Sequence, residues 1–345
     1  MKGRGAGFNP PNRFEQRHYE DLFPESMTDE ANGIKTEYIP DSSEEVVNYV
    51  KTPDLGLMHT INPYRGCEHG CIYCYARNSH EYLGFSAGLD FETKIVYKPD
   101  VARRLEEYLL RIYPRKVILH ISTNTDCYQP IERKLKLTRQ ILEICLKYKN
   151  PVRIITKNAL VLRDLDILKK MMEYEGVKVM ITITTLNESL RRVMEPRTTT
   201  AQKRLETIKA LASAGISVGV MVAPIIPGLT DHEIPSILRT AGESGASFAS
   251  YTIVRLNGKL KDLFVEWLER NFPERKEKVL ELIRSCHAGN LNDSKLGRRL
   301  RGDGNIADNI KSLFQIFSKK YIRSDQVQKG VPQAYRRKTL FDNRY

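Results

Sequence analysis

Six short apolar runs recur along the middle of the chain and alternate with amphipathic segments. Several are continuously apolar, which is typical of strands buried on both faces of a sheet. The runs span residues 55–61, 116–122, 152–156, 177–184, 216–223 and 247–254. In the segment 137–148, Ile141, Leu142, Cys145 and Tyr148 share one helical face. Because strands separated by a crossover helix pair side by side, the pattern predicts a parallel sheet.

The number of strand–helix units limits the architecture. Six units are too few for a closed eight-stranded barrel, so the pattern allows an open doubly wound sheet or a partial barrel. After residue 254 the pattern becomes helical, whereas residues 1–50 are rich in Gly, Pro, Asn and acidic residues. We therefore divide the chain into an extended N-terminal arm (1–50), an α/β core (51–256) and a helical, basic C-terminal region (257–345).

The composition is that of an ordinary globular protein. Of the 345 residues, 41% are apolar and 28% are charged. Six cysteines are too few for a disulfide scaffold, and three of them cluster. The first residues contain no apolar run, and no run is long enough to span a bilayer. The sequence thus predicts a cytoplasmic protein with reduced thiols and no membrane contact.

The net charge of +13 is concentrated near the C-terminus. Residues 286–345 contain thirteen Lys or Arg against five Asp or Glu. Groups such as "KLGRRLRG" and "YRRK" could contact nucleic acid phosphates, and Tyr335 and Tyr345 could stack on bases. The alternative is a solvated tail with no partner.

The stretch "NPYRGCEHGCIYCYAR" contains the most specific chemical signal. Cys67, Cys71 and Cys74 lie within eight residues, on the loop after the first predicted strand. Gly66 and Gly70 allow the tight backbone path that such a loop needs. Clustered thiols in a reducing compartment indicate metal or redox chemistry.

Two kinds of metal site fit three local thiols. Thiolates are soft ligands that select zinc or iron–sulfur clusters. A structural zinc site prefers four protein ligands, so it would need a histidine as the fourth, from His59, His69 or His80. A four-iron cluster held by three cysteines leaves one iron free to bind a substrate or cofactor.

The spacing C-x3-C-x2-C, with Tyr73 just before the last cysteine, resembles the signature of the radical S-adenosylmethionine (SAM) superfamily. The strings "INPYRGCEHGCIYCYARNSHEYLGFSAGLDFETKI" and "STNTDCYQPIERKLKLTR" resemble more closely the branch that is similar to spore photoproduct lyase and is often labelled "DNA repair photolyase". This resemblance covers most of the chain. It implies a partial (β/α)6 barrel of the radical SAM type.

The resemblance also implies cofactor contacts. Each of Cys67, Cys71 and Cys74 would ligate one iron of a 4Fe-4S cluster, and Tyr73 would offer its backbone carbonyl to the adenine of SAM. In a parallel barrel, polar residues at the carboxyl ends of strands face the active site. The candidate cofactor-binding residues are Tyr73, Ser122, Asn124, Asp126, Lys157, Thr184, Glu195 and Arg197.

Individual roles follow from the same resemblance. The end of the second strand, Ser122 to Asp126, stands where the family binds the amino group of SAM, and Lys157 stands where lyase-like relatives bind its carboxylate. The hydroxyl of Thr184 would act like Lys157, and Glu195 and Arg197 would contact the ribose or the substrate. Helix capping and strand propensity are the alternative interpretations for the threonines and the aspartate.

The implied reaction is radical chemistry. A reduced cluster passes one electron to the sulfonium of SAM, and the resulting 5′-deoxyadenosyl radical abstracts hydrogen from the substrate. A flavodoxin or ferredoxin would be the electron donor. The substrate is open: nucleic acid, or alternatively a small molecule or peptide. The non-enzymatic alternative is a zinc-binding nucleic acid module.

One departure concerns the hydrogen donor. Spore photoproduct lyases carry a donating cysteine near the end of the second strand, a few residues ahead of the aspartate. This chain has Thr123 about there, and its own thiol, Cys127, follows Asp126. Cys127 is therefore a candidate catalytic residue in a shifted register, and the alternative is a small, half-buried structural thiol.

Overall fold

Ten strands form two sheets. The computed structural model describes residues 3–14, 35–52, 54 and 59–322. The strands in these residues are β1 (Glu37–Pro40), β2 (Val47–Tyr49), β3 (His59–Ile61), β4 (Tyr64–Arg65), β5 (Lys94–Tyr97), β6 (Leu119–Ile121), β7 (Val152–Thr156), β8 (Val177–Thr182), β9 (Ser217–Ile225) and β10 (Phe248–Ile253).

The larger sheet confirms the predicted α/β architecture. Its order is β10-β9-β8-β7-β6-β3-β2, and every neighbouring pair from β10 to β3 is parallel. Each of the six parallel strands overlaps one predicted apolar run, although residues 55–58 of the first run lie outside the described residues. The sheet stays open between β2 and β10, so within the described part of the chain it does not close into a barrel.

Helices connect the parallel strands and cover the sheet. They are α1 (Asp90–Thr93), α2 (Val101–Ile112), α3 (Glu132–Leu135), α4 (Leu137–Lys147), α5 (Leu165–Met172), α6 (Glu188–Met194), α7 (Ala201–Ser213), α8 (Ile234–Glu243), α9 (Leu260–Asn271), α10 (Lys276–Cys286) and α11 (Asn305–Tyr321). Short 3-10 helices span Tyr75–Leu83, Ala159–Asp164, Asp231–Glu233 and Pro273–Arg275.

The helix pattern read from the sequence accounts for the main core. On α4, Ile141, Leu142 and Cys145 are fully buried against the sheet, as the helical spacing predicts. Gly215 follows α7 with φ of 77°, a left-handed conformation that glycine adopts without strain. Its N–H donates to the carbonyl of Ala212 at 2.9 Å, which ends the helix.

A second apolar layer contains Met180, Met221 and Phe248, with Ile155 packed against it. Gly219 is required there because a Cβ at this position would lie 2.3 Å from the Phe248 ring. The Phe248 side chain can therefore lie flat across β9. Two of these residues, Ile155 and Met221, also line the cavity described below, so the layer gives that cavity an apolar floor.

Parts of the predicted N-terminal arm pair with the core. β1 runs parallel to β5, which also pairs with β4 in a three-stranded sheet. β2 runs antiparallel to β3 at the edge of the larger sheet. The domain boundary at residue 50 stays an interpretation, since both strands of the arm hydrogen-bond to strands beyond it.

The basic C-terminal region is helical and partly paired. α9 and α10 contribute Trp267 and Ile283 to a core cluster that also contains Cys71. Within "KLGRRLRG", Arg299 pairs with Asp54 at 2.7 Å and Arg301 lies 3.9 Å from the centroid of a tyrosine ring. The "YRRK" group, Tyr335 and Tyr345 lie outside the described residues.

His120 provides a test of the sheet interior. It lies on β6 in register with Thr60 and Arg153, and burial, reinforced by Arg153, lowers its pKa from 6.5 to about 3. The unfolded chain binds a proton at this site below pH 6.5 and the folded chain does not, so the free energy of unfolding falls as the pH drops from 6.5 towards 3. Urea denaturation of the metal-free protein across this range measures the slope.

Replacing the imidazole isolates its contribution. We expect His120→Gln to flatten the acid limb by up to about 1.4 kcal/mol per pH unit, the value for one proton. Parallel stability curves for the two proteins would contradict the assignment.

Candidate active site

The three clustered cysteines lie on a loop fixed by its backbone. The N–H of Cys67 donates to the carbonyl of Phe91 at 2.8 Å, and the N–H of Cys74 donates to the carbonyl of Cys71 at 3.3 Å. Gly66 has φ of 78°, and a Cβ there would lie 2.9 Å from the carbonyl oxygen of Lys94. The loop therefore needs glycine where the sequence has it.

All three cysteines face one cavity of about 430 Å³ at the carboxyl ends of the parallel strands. Eight of the predicted site residues line it, and these are Cys67, Cys71, Tyr73, Cys74, Ser122, Asn124, Asp126 and Lys157. Sequence positions far apart are thus brought together, as a parallel sheet requires.

The thiols are held in a poorly solvated environment. Burial raises the pKa of all three, that of Cys71 to about 12. Lys157 opposes burial at both Cys71 and Cys74, and Arg77 does so at Cys74. Since a metal binds the thiolate form, metal uptake here displaces protons and grows stronger as the pH rises.

The donor set suits a cluster better than a single ion. No group of three Cys, His, Asp or Glu side chains among the described residues converges on a point that could hold one metal ion. Of the histidines considered as fourth ligands, His69 lies 3.4 Å from Asp126, His59 bonds to Tyr108, and His80, which packs on Phe91, does not line the cavity. Three soft thiols on one cavity wall fit an iron–sulfur cluster.

Asp126 links the ends of two neighbouring strands. Its carboxylate accepts from Thr156 Oγ1 at 2.7 Å and from the N–H of Lys157 at 2.8 Å. Burial alone would raise its pKa, but His69 and these hydrogen bonds lower it to about 2. The cavity lining therefore carries the negative charge of Asp126 and, on Lys157, an ammonium group that lies 5.7 Å from the centroid of the Tyr73 ring.

Ser122 and Asn124 shape the turn after β6. Ser122 has φ of 72°, and its hydroxyl accepts from the N–H of Cys127 at 3.0 Å. Asn124 donates through Nδ2 to Ser79 at 3.3 Å. Both residues line the cavity while they hold this turn in place.

Three predicted residues lie outside the cavity lining. Glu195 is fully buried and pairs with Arg204 at 2.5 Å. The hydroxyl of Tyr73 contacts both Thr184 and Glu195, which are 111 and 122 positions away along the chain. Arg197 pairs with Glu68 at 3.5 Å. Glu195 and Thr184 thus fix the position of the Tyr73 side chain, which belongs to the cysteine loop.

Cys127 also lies away from the cavity lining. Its side chain is fully buried in the main core, and its carbonyl accepts from Thr138 Oγ1 at 2.6 Å. This position corresponds to the alternative interpretation of a structural thiol.

Two residues of the site were not predicted. Arg204 lies on the buried face of α7 with Ile208 and Leu211, and a charge at that helical spacing could have indicated a buried partner. Arg255 lines the cavity just after β10, where the rule about strand ends would have found it.

Comparison with known families identifies this arrangement. The family model described as "Radical SAM superfamily" matches residues 61–241, more than half of the chain. The chain belongs to the radical SAM superfamily. It is therefore a radical SAM enzyme, and membership implies SAM and a 4Fe-4S cluster as cofactors.

Sequence relatives include several uncharacterized proteins. One from Mycobacterium tuberculosis is 36% identical over 232 residues, covering 67% of this chain and 68% of the relative. One from Methanocaldococcus jannaschii is 32% identical over 243 residues, covering 70% and 86%. The "Radical SAM Nalpha-GlyT isomerase" of Pseudomonas phage M6 is 22% identical over 230 residues, covering 66% and 46%.

Solved structures support the same fold. Spore photoproduct lyase complexed with dinucleoside spore photoproduct matches with a TM-score of 0.60 at 16% identity, over 83% of this chain and 80% of that one. A mutant of the same enzyme with bound AdoMet matches with a TM-score of 0.57 at 16% identity, over 83% and 79%. At this identity the similarity establishes the fold.

No helix in the described residues of this radical SAM enzyme is long and apolar enough to cross a membrane.

The Glu195–Arg204 pair gives a stability prediction. Arg204→Met leaves the Glu195 carboxylate buried without its charge partner, which should lower the free energy of unfolding by about 3–5 kcal/mol. Lys203→Met is the matched control because the neighbouring Lys203 pairs with Glu206 at 3.0 Å on the exposed face of α7. The control should change stability by less than about 1 kcal/mol in urea denaturation. Equal small losses for both variants would refute the role of the buried pair.

Proposed function

We propose that Cys67, Cys71 and Cys74 bind a 4Fe-4S cluster and that SAM occupies the adjoining cavity. The observation that carries the proposal is that three buried thiols and the polar ends of β6 and β7 line the same cavity. Bound there, the cluster and SAM would supply the radical chemistry that removes hydrogen from the substrate. The electron for it would come from outside the chain, from a flavodoxin or ferredoxin.

The protein's own residues orient SAM. Lys157 presents an ammonium group to the methionine carboxylate, and Asp126, ionised because its pKa is about 2, presents a negative charge to the amino group. Ser122 and Asn124 add polar atoms at the same strand end. The apolar floor below keeps water from the space where a radical forms.

Tyr73 has two separate functions in this proposal. Its backbone carbonyl binds the adenine of SAM, and its hydroxyl contacts Glu195 and Thr184. Because those contacts fix the side chain, they also restrict the orientation of the carbonyl. Glu195 and Thr184 are then positioning residues for the adenine.

Arg255 points to an anionic substrate. Burial lowers its pKa, and the charge of nearby Arg299 lowers it further. Asp54 pairs with Arg299, and its charge acts on Arg255 as well, but no carboxylate of the described residues forms an ion pair with Arg255. We assign the guanidinium to the phosphate or carboxylate of a second molecule, because Lys157 is the cation that the proposal gives to the carboxylate of SAM.

Nucleic acid is the substrate class that this proposal favours. Arg255 lies in the cavity wall with Arg299 close by, and the similar structure of spore photoproduct lyase holds a dinucleoside. A small molecule or peptide with one anionic group is the alternative. A zinc-binding module without catalysis is disfavoured, because the chain belongs to the radical SAM superfamily.

The cluster assignment has a direct test. Protein purified without oxygen should be brown, contain about four iron atoms per chain and cleave SAM when dithionite is added. Cys71→Ala should lose the colour and the cleavage, whereas Cys145→Ala, which removes a buried thiol from α4, should keep both. SAM cleavage by Cys71→Ala at the wild-type rate would refute the ligand assignment.

Substitutions of Lys157 and of Arg255 should weaken the binding of different ligands. Lys157→Met should raise the dissociation constant for SAM by roughly 10- to 100-fold, the effect of losing one charged hydrogen bond, and Arg255→Met should leave it within about twofold. Arg255→Met should instead weaken binding of a labelled single-stranded oligonucleotide, measured by fluorescence anisotropy, by about tenfold.

Three other outcomes would change this assignment. Weaker SAM binding by Arg255→Met would make Arg255 a cofactor residue. Equal oligonucleotide binding by Arg255→Met and the wild type would remove the support for nucleic acid. A wild-type protein that binds no oligonucleotide at moderate salt but still cleaves SAM would favour the small anionic substrate.

A further inference from the structure

The N-terminal residues 4–13, here called the strap, lie directly against the loop that follows the cysteines. The N–H groups of Gly5 and Ala6 donate to the carboxylate of Glu92 at 3.1 and 2.8 Å. Arg4 donates to the backbone carbonyl of the same glutamate at 2.8 Å. Ala6 is completely buried, so this part of the predicted arm belongs to the protein interior.

Glu92 connects the strap to a cysteine. Its carboxylate pairs with Arg77 at 2.5 Å, and both side chains are fully buried. Arg77 also donates through Nε to the carbonyl of Cys71 at 3.1 Å and through Nη1 to the carbonyl of Gly88 at 2.9 Å. A continuous set of hydrogen bonds therefore runs from Gly5 and Ala6 through two charged groups to the backbone of Cys71.

The strap and the cysteine loop also touch backbone to backbone. A Cβ on Gly5 would lie 1.8 Å from the carbonyl oxygen of Gly70, the residue just before Cys71. A Cβ on Gly88 would lie 2.0 Å from the carbonyl oxygen of Phe8. No side chain can be placed at either glycine without moving one backbone away from the other.

Further contacts hold the rest of the strap. Asn12 donates to the carbonyl of Glu81 at 3.0 Å, and the N–H of Arg13 donates to the Glu81 carboxylate at 3.0 Å. Arg270 of α9 donates to the carbonyl of Gly5 at 3.2 Å. The strap is thus held between the segment that follows the cysteines and helix α9.

We infer that the strap positions the cluster ligands, and that retention of the cluster depends on it. The inference rests on the proposed function, since it assumes that Cys71 binds iron. If the strap is displaced, the buried Glu92 carboxylate loses two N–H donors. Its ion pair with Arg77 is then no longer held in a single geometry. The carbonyl of Cys71 then loses its fixed donor, and the loop gains conformations in which the three thiols do not meet one cluster.

Gly5→Ala in the full-length protein tests this coupling. The methyl group cannot coexist with the Gly70 carbonyl, so the strap and the cysteine loop must move apart, although no cysteine and no cavity residue is itself substituted. Gly3→Ala is the control for an added methyl group without a clash, because a Cβ on Gly3 meets nothing within 4 Å; its φ of 80° strains alanine locally, and the melting temperature measures that strain. The measurements are the rate of iron loss to a chelator and the electron paramagnetic resonance spectrum of the reduced protein with SAM. The melting temperature of the metal-free protein is recorded beside them.

We expect Gly5→Ala to lose iron about tenfold faster than the wild type and to show an altered spectrum with SAM, while Gly3→Ala matches the wild type in both. Wild-type iron loss and spectrum in Gly5→Ala would overturn the inference, whatever happens to the melting temperature. If Gly5→Ala does not fold, Arg4→Met decides, since it removes one peripheral contact to Glu92. Iron loss by Arg4→Met about threefold faster than the wild type supports the inference, and an unchanged rate overturns it.

Failure of the inference differs from failure of the proposed function. Suppose that the wild type takes up iron, that Cys71→Ala does not, and that Gly5→Ala loses iron at the wild-type rate. This result would refute the role of the strap and leave the proposed function intact. A wild-type protein that takes up no iron would refute the proposed function, and the inference with it.

Discussion

Two buried arginine–glutamate pairs contact the cysteine loop at two different residues, and the geometry of the site depends on them. Arg77 and Glu92 connect the carbonyl of Cys71 to the N-terminal strap. Glu195, paired with Arg204, contacts the hydroxyl of Tyr73. Burying charges is costly unless each is paired and fully hydrogen-bonded, so each pair is stable only while its surroundings stay in place. The loop is therefore restricted to one conformation.

The same charges prepare the site for its proposed cofactors. Three thiolates bring negative charge into a region where burial raises the pKa of each thiol. Lys157, Arg77 and Arg204 surround that region with positive charge, which favours the thiolate form. Arg255 adds a further cation to the cavity lining, which the proposed function assigns to the substrate rather than to SAM.

The sequence was sufficient for those features that depend on local patterns. Continuous apolar runs predicted all six parallel strands, and the spacing of Cys67, Cys71 and Cys74 was enough to predict the superfamily. Cys145 was correctly placed in the core because helical periodicity is visible in a short window. The rule that strand ends face the active site brought Ser122, Asp126 and Lys157 to the cavity.

Contacts between distant segments could not be predicted in this way. The pairing of Arg204 with Glu195, and of Glu92 with Arg77 and the strap, depends on strand register and on which helix covers which strand. The sequence suggested cofactor or substrate contact for Glu195, whereas the structure buries it against Arg204. Residues 4–13 show no helical or strand periodicity in their apolar positions. Their hydrogen bonds go to side chains and carbonyls of another segment, not to the backbone of a neighbouring strand or helical turn.

The central claim is that three cysteines hold a four-iron cluster whose remaining iron is open to SAM. Electron–nuclear double resonance on the reduced protein, with SAM labelled with nitrogen-15 at its amino group, tests this most directly. The account predicts a clear nitrogen-15 hyperfine coupling between the label and the cluster, which is replaced by a nitrogen-14 pattern when unlabelled SAM is used. An intact four-iron signal without any nitrogen coupling, at saturating SAM, would contradict it.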